Sequence, residues 1–134
     1  MRNMRNPNGR RLGVLALRLD AAYCLLVGAG VVCCAGPLAQ LLRLPGGVLP
    51  AAGAVTTLWG AGVAWMSARM RLRRALRLVL AVNVLASAAV ALFSTSAAGL
   101  LLALVVLAFA LDIAAFAVAQ GLALRRLRAA EARG

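Results

Sequence analysis

Polar and apolar positions divide the chain into four long apolar stretches with short polar or basic breaks between them. They span about 12–35, 49–68, 76–94 and 98–124, preceded by a basic segment (1–11) and followed by a basic tail (125–134). A helix rising ~1.5 Å per residue needs roughly 20 apolar residues to cross ~30 Å of hydrocarbon. The pattern therefore predicts an all-α membrane protein, an antiparallel four-transmembrane-helix bundle. Arg18 and Asp20 interrupt the first stretch too early for the apolar core of a cleaved leader, so it is expected to remain as a span.

The breaks have chemistry of their own. Gly36-Pro37 is expected to end the first helix, and Leu38, Leu41 and Leu42 then share a face by i, i+3, i+4 spacing. This predicts a short amphipathic helix lying at the interface in the first outer loop, closed by Pro45-Gly46-Gly47. In the second stretch Gly53, Thr57, Gly60, Ala64 and Ser67 recur at steps of four and three. They make a strip of small side chains against which a neighbouring backbone can lie closely, with Gly28 and Gly30 of the first stretch opposite. Trp59 and Trp65 fall off that strip, and Trp65 suits an interface anchor. The run RMRLRRALR (69–77) reads as an arginine-rich inner loop.

Composition strengthens the membrane reading: 64% of residues are hydrophobic, only 13% are charged, and mean hydropathy is +0.94. A soluble surface uses roughly 25% charged residues. The net charge of +12 comes from fifteen Lys+Arg, all arginine, against three acids. A nucleic-acid partner is not expected, because the arginines lie between apolar spans and aromatic residues for base stacking are scarce. Their distribution instead sets orientation. Fourteen fall on the side of the termini and the second loop, and only Arg43 falls on the other. By the positive-inside rule both termini are cytoplasmic (N-in, C-in), and the arginine face meets anionic lipid head groups. The all-Arg, Ala- and Leu-rich usage suits a high-GC bacterial source, hence a bacterial cytoplasmic membrane.

Polar side chains inside the spans are the candidate sites, since each is costly in hydrocarbon. Asp112 lies near the middle of the fourth span, where an isolated carboxylate costs about 2.5–3.5 kcal/mol on insertion scales. Counted inward from the arginine clusters, Thr57 and Ser87 lie at similar depth and are its expected partners. Asp112 is then either a proton-linked carboxylate or a neutral hydrogen-bonding group between helices. Asp20, Tyr23, Asn83 and Gln120 form a second set nearer the cytoplasm, either a pocket open to the cytoplasm or a clamp that sets helix register. Cys33 and Cys34 are adjacent near the outer end and Cys24 lies deeper; the expected role for all three is that of small hydrophobes. The sequence has no His, no Gly-rich phosphate loop and no metal-spaced cluster. The chain is therefore read as non-enzymatic, with no cofactor or metal.

The segments LRLDA (17–21), GPLAQLLRLP (36–45), Asn83 early in the third span and AQGLALRR (119–126) form a pattern. It resembles a family of small, uncharacterised four-span membrane proteins of high-GC bacteria. The resemblance spans the membrane region and implies its topology, with Asp20, Gly36-Pro37, Asn83 and Gln120 as recurring positions and no activity attached. Asp112 and the cysteines are not part of it. The functional expectation is an accessory or interaction component, working with a partner membrane protein or as a homo-oligomer. Alternatives are a small proton-coupled transporter using Asp112 and a thiol redox protein using Cys33 and Cys34.

Overall fold

The computed structural model describes residues 7–95, 97 and 99–132. The start of the basic N-terminal segment (1–6), part of the expected turn after the third span (96 and 98) and the last two residues lie outside the described residues. Among the described residues there are five helices and no strand: α1 (Pro7–Cys33), α2 (Ala35–Leu42), α3 (Val48–Arg69), α4 (Leu72–Thr95) and α5 (Leu100–Glu131). All but α2 are long and apolar enough to cross a membrane, by length and composition.

The helices begin and end differently from the apolar stretches. α1 starts at Pro7, so residues 7–11 are helical and not a separate polar segment. Pro suits a first turn because its missing N–H would have no intrahelical partner there. α5 continues through Arg125, Arg126 and Arg128 to Glu131, so the described part of the tail up to Glu131 is helix as well. At ~1.5 Å per residue, its 32 residues reach about 48 Å, well beyond the ~30 Å of hydrocarbon. The arginine run is not a loop. Arg69 ends α3, Arg73, Arg74 and Arg77 lie in α4, and only Met70 and Arg71 connect the two helices.

The first break also moves. α1 gives way to α2 at Cys34, whose N–H bonds to the Gly30 carbonyl, and Gly36-Pro37 falls in the first turn of α2. α2 ends at Arg43, which takes the left-handed conformation (φ 54°). The Arg43 N–H reaches the Gln40 carbonyl and the Leu44 N–H the Ala39 carbonyl, at 3.3 and 2.9 Å. This double bond pattern satisfies the last carbonyls and usually uses Gly at the left-handed position. Pro45 follows and prevents continuation.

α1 is the hub, packed on α3 along one side and on α5 along another, while α4 pairs with α5. Its buried positions, Gly9, Gly13, Ala16, Leu17, Asp20, Ala21, Cys24 and Gly28, follow steps of three and four and keep to one stripe. Against α3, Gly28 sits on Gly53 and Thr57, while Ala21 and Leu25 sit on Gly60. These pairings rise along one helix as they fall along the other. The absence of a β-carbon at Gly28, Gly53 and Gly60 brings backbone onto backbone, so dispersion and close packing hold this seam in lipid, where apolar burial supplies no drive.

Two seam expectations are corrected. Gly30 has no neighbour within 4 Å of where a β-carbon would stand, so it is not a packing position. Ala64 is exposed, and Val63 is buried in its place. Steps of four and three alternate around 3.5 residues per turn, whereas a straight helix turns every 3.6, so the strip drifts off the contact.

The hydrophobic core is one cluster at the arginine-bearing end: Leu17, Ala21, Val63, Ala75, Leu76, Val79, Ala123 and Leu124, from all four long helices. Trp59 packs against it, whereas Trp65 is exposed. The outward surface is apolar. Leu26, Leu58, Leu92 and Leu100 are each more than 70% exposed, a surface that lipid solvates and water does not.

Candidate functional site

Three buried polar side chains from three helices meet just beyond the core. Asp20 (α1), Asn83 (α4) and Gln120 (α5) are 2%, 4% and 0% exposed. Asn83 Nδ2 donates to Asp20 Oδ2 at 2.7 Å and to Gln120 Oε1 at 3.3 Å. Gln120 Nε2 donates to the same Asp20 oxygen at 2.8 Å, and Cys24 Sγ donates to Asp20 Oδ1 at 3.5 Å. Both carboxyl oxygens are thus engaged. The arrangement follows from register: Asp20 and Cys24 are one turn apart on the buried stripe of α1, Asn83 is one turn beyond Val79 on α4, and Gln120 is three residues before Ala123 on α5. Unmet polar groups are expensive in an apolar interior, so a closed network of this kind holds three helices in one register.

Tyr23, expected with this set, is turned away from it. Its hydroxyl donates to Asp112 Oδ2 across the α1–α5 contact, and its ring packs on Phe116 with centroids 5.3 Å apart. Asp112 itself is exposed on the outer surface of the bundle. Its expected partners lie elsewhere. The Thr57 hydroxyl bonds back to the Gly53 carbonyl of its own helix at 2.8 Å, and the Ser87 hydroxyl reaches the Ala110 carbonyl of α5 at 2.9 Å. By residue count Asp112, Thr57 and Ser87 lie 13, 12 and 10 residues from Arg125, Arg69 and Arg77, whereas Tyr23, counted with the shallower set, lies 12 from Arg11, level with Asp112. At ~1.5 Å per residue these counts are about 15–20 Å. Depth says nothing about which way round a helix a side chain points, and that angle decides the partner.

The cysteines are free thiols. Cys24 is buried against Asp20, and Cys33 and Cys34 are exposed at the far end of α1. The Cys24 contact was missed in the sequence, although its i+4 spacing from Asp20 was a readable signal. Among the described residues, no group of three or more His, Cys, Asp or Glu is placed to hold a metal ion.

Arg18 is exposed on the opposite side of α1 from Asp20, whose oxygens are taken by other donors. With Arg10, Arg11, Val14 and Leu15 it lines a shallow, open groove of about 420 Å³ between side chains on one face of α1 alone.

Four helices of this length and hydropathy, with an apolar exterior around a small core and a polar clamp, define a multi-pass membrane protein. Compared with known proteins, the chain matches no protein family, no curated protein and no solved structure.

Proposed function

We propose that the protein is a non-enzymatic interaction component of a bacterial cytoplasmic membrane, an antiparallel four-helix bundle with both termini cytoplasmic and α2 at the outer interface. The fourteen-to-one arginine asymmetry supports the orientation, and the opposed order of the α1–α3 contacts supports the antiparallel arrangement. The exposed Leu41 and buried Ala39 of α2 suit a helix with one face on the bundle and one in the interface.

One observation carries the interaction reading. Asp112 stands on the outside of the bundle, about 18 Å along α5 from Leu100 and about 20 Å before Arg125, with Tyr23 as its neighbour. A carboxyl facing lipid at that depth costs about 2.5–3.5 kcal/mol, and a helix that covers it with a hydrogen-bond donor offsets much of this. Ala108 and Ala115, exposed on either side of Asp112, leave room for such a helix to approach. The partner is another membrane protein or a second copy of the chain.

The test is photo-crosslinking in native membranes from Ala108 and Ala115, with Leu85 on α4 as the comparison position. Discrete products from the α5 positions that vanish with Asp112→Leu are expected. Equal labelling from all three positions, unchanged by Asp112→Leu, would refute the reading. The carrier alternative is favoured by the same exposed carboxyl with its hydroxyl partner. It predicts proton-coupled flux in proteoliposomes that Asp112→Asn abolishes with the fold intact.

A further inference from the structure

The exposed face of α1 is unusual in carrying cations into the apolar zone. Arg11, Val14, Leu15 and Arg18 follow i, i+3, i+4, i+7 spacing, and Arg10 stands one turn before Val14. Arg18 lies seven residues, or about 10 Å, deeper than Arg11, between the exposed Leu15 and Leu19. A guanidinium at that depth must reach an anion or the aqueous surface. Asp20 cannot serve, because it points into the bundle and is fully engaged there. Among the described residues no acid forms an ion pair with Arg10, Arg11 or Arg18. From Leu15 in the groove, Leu19 and Leu26 continue an exposed apolar strip along the same face.

We propose that Arg10, Arg11 and Arg18, set around Val14 and Leu15, form a binding site for the phosphodiester of an anionic phospholipid, its acyl chains lying along Leu15, Leu19 and Leu26. Guanidinium groups bind phosphate oxygens in bidentate fashion, and Arg18 approaches from beneath while Arg10 and Arg11 approach from the surface. Three cations with no acid paired to them among the described residues favour a lipid of net negative charge over a zwitterionic one, whose own cation would meet them. The groove is apolar between the arginines, which suits the glycerol and first methylenes of a lipid better than a free anion.

The site rests on the membrane reading above, and the experiment separates the two. The full chain in non-ionic detergent is titrated with phosphatidylglycerol, with phosphatidylcholine of the same chains, and with inorganic phosphate, bound lipid being counted by native mass spectrometry. Phosphatidylglycerol is expected to bind about tenfold tighter than phosphatidylcholine, whose choline cation is repelled by the three guanidinium groups. Arg18→Gln should weaken it about tenfold, and Arg74→Gln, which removes one exposed charge from α4, by less than about twofold. Equal losses in the two variants, or equal binding of the two lipids, would overturn the site in favour of diffuse attraction. Displacement of phosphatidylglycerol by millimolar inorganic phosphate would overturn the lipid assignment in favour of a free-anion site. If circular dichroism shows Arg18→Gln unfolded, the double variant Arg10→Gln/Arg11→Gln carries the same comparison. A chain that stays soluble and folded without detergent would instead refute the membrane reading itself.

Discussion

Two glycines of α1, Gly28 and Gly30, are two residues apart, and the structure gives substitutions at them opposite signs. A β-carbon at Gly28 would stand 2.7 Å from the Thr57 amide nitrogen and 2.8 Å from the Gly53 carbonyl oxygen. Both are backbone atoms of α3 and cannot rotate away. Since ordinary contact begins near 3.4 Å, α1 and α3 must part by about 0.7 Å at this level. A gap of that size forfeits a quarter to a half of each dispersion contact across the seam. Overpacking costs about 1–3 kcal/mol, and rigid backbone on both sides places Gly28→Ala at the upper end. Replacing Gly by Ala within a helix returns about 1 kcal/mol, leaving a net loss of about 2 kcal/mol. Gly30→Ala meets open space, has only the helix term and should be neutral or stabilising by up to about 1 kcal/mol. Reversible unfolding in mixed micelles, followed by circular dichroism as the denaturing detergent fraction rises, reads both variants against the parent. Gly28→Ala as stable as the parent, or Gly30→Ala equally destabilised, would refute the α1–α3 seam described here.

Two further outcomes follow from the polar clamp and the thiols. Asn83→Leu removes two bonds and leaves the Asp20 carboxyl short of a donor, so it should destabilise by about 1–2 kcal/mol in the same assay. Replacing Asp20, Asn83 and Gln120 together by Leu should cost less than Asn83→Leu alone, because no buried polar group is then stranded; a triple variant weaker than the single one contradicts a closed network. In intact cells a membrane-impermeant maleimide should modify Cys33 and Cys34 while Cys24 reacts only after denaturation. Labelling of the exposed pair only after permeabilisation would reverse the proposed orientation.

The residues differ in how far they could be read without a fold. Four helices were legible because a backbone in hydrocarbon must satisfy its own hydrogen bonds, which makes a long apolar run sufficient evidence for a spanning helix. Asp20, Asn83 and Gln120 could be grouped by their distance from the arginines, since rise per residue is a constant of the helix. The same ruler placed Asp112 beside Thr57 and Ser87 but could not pair them, and Tyr23, counted with the shallower set, was given the wrong neighbours. Helix ends were misjudged where arginine was taken as a boundary. Charge sets where the membrane stops, whereas the helix goes on as long as its carbonyls find donors, as at 7–11 and 125–131.

The sequence by itself therefore determined the number of spans and the spacing of polar residues along each, both of which depend on distance along the chain. The tertiary structure alone decided rotation about each helix axis. It put Asp20 inside the bundle and Arg18 outside, Gly28 in the seam and Gly30 clear of it, Tyr23 against Asp112 and Ser87 on the Ala110 carbonyl. The physical reason is that the chain's own apolar surface looks alike to lipid and to a neighbouring helix. Facing is then set by the close fit of small residues and by which polar groups find partners, and both of these are properties of pairs of helices.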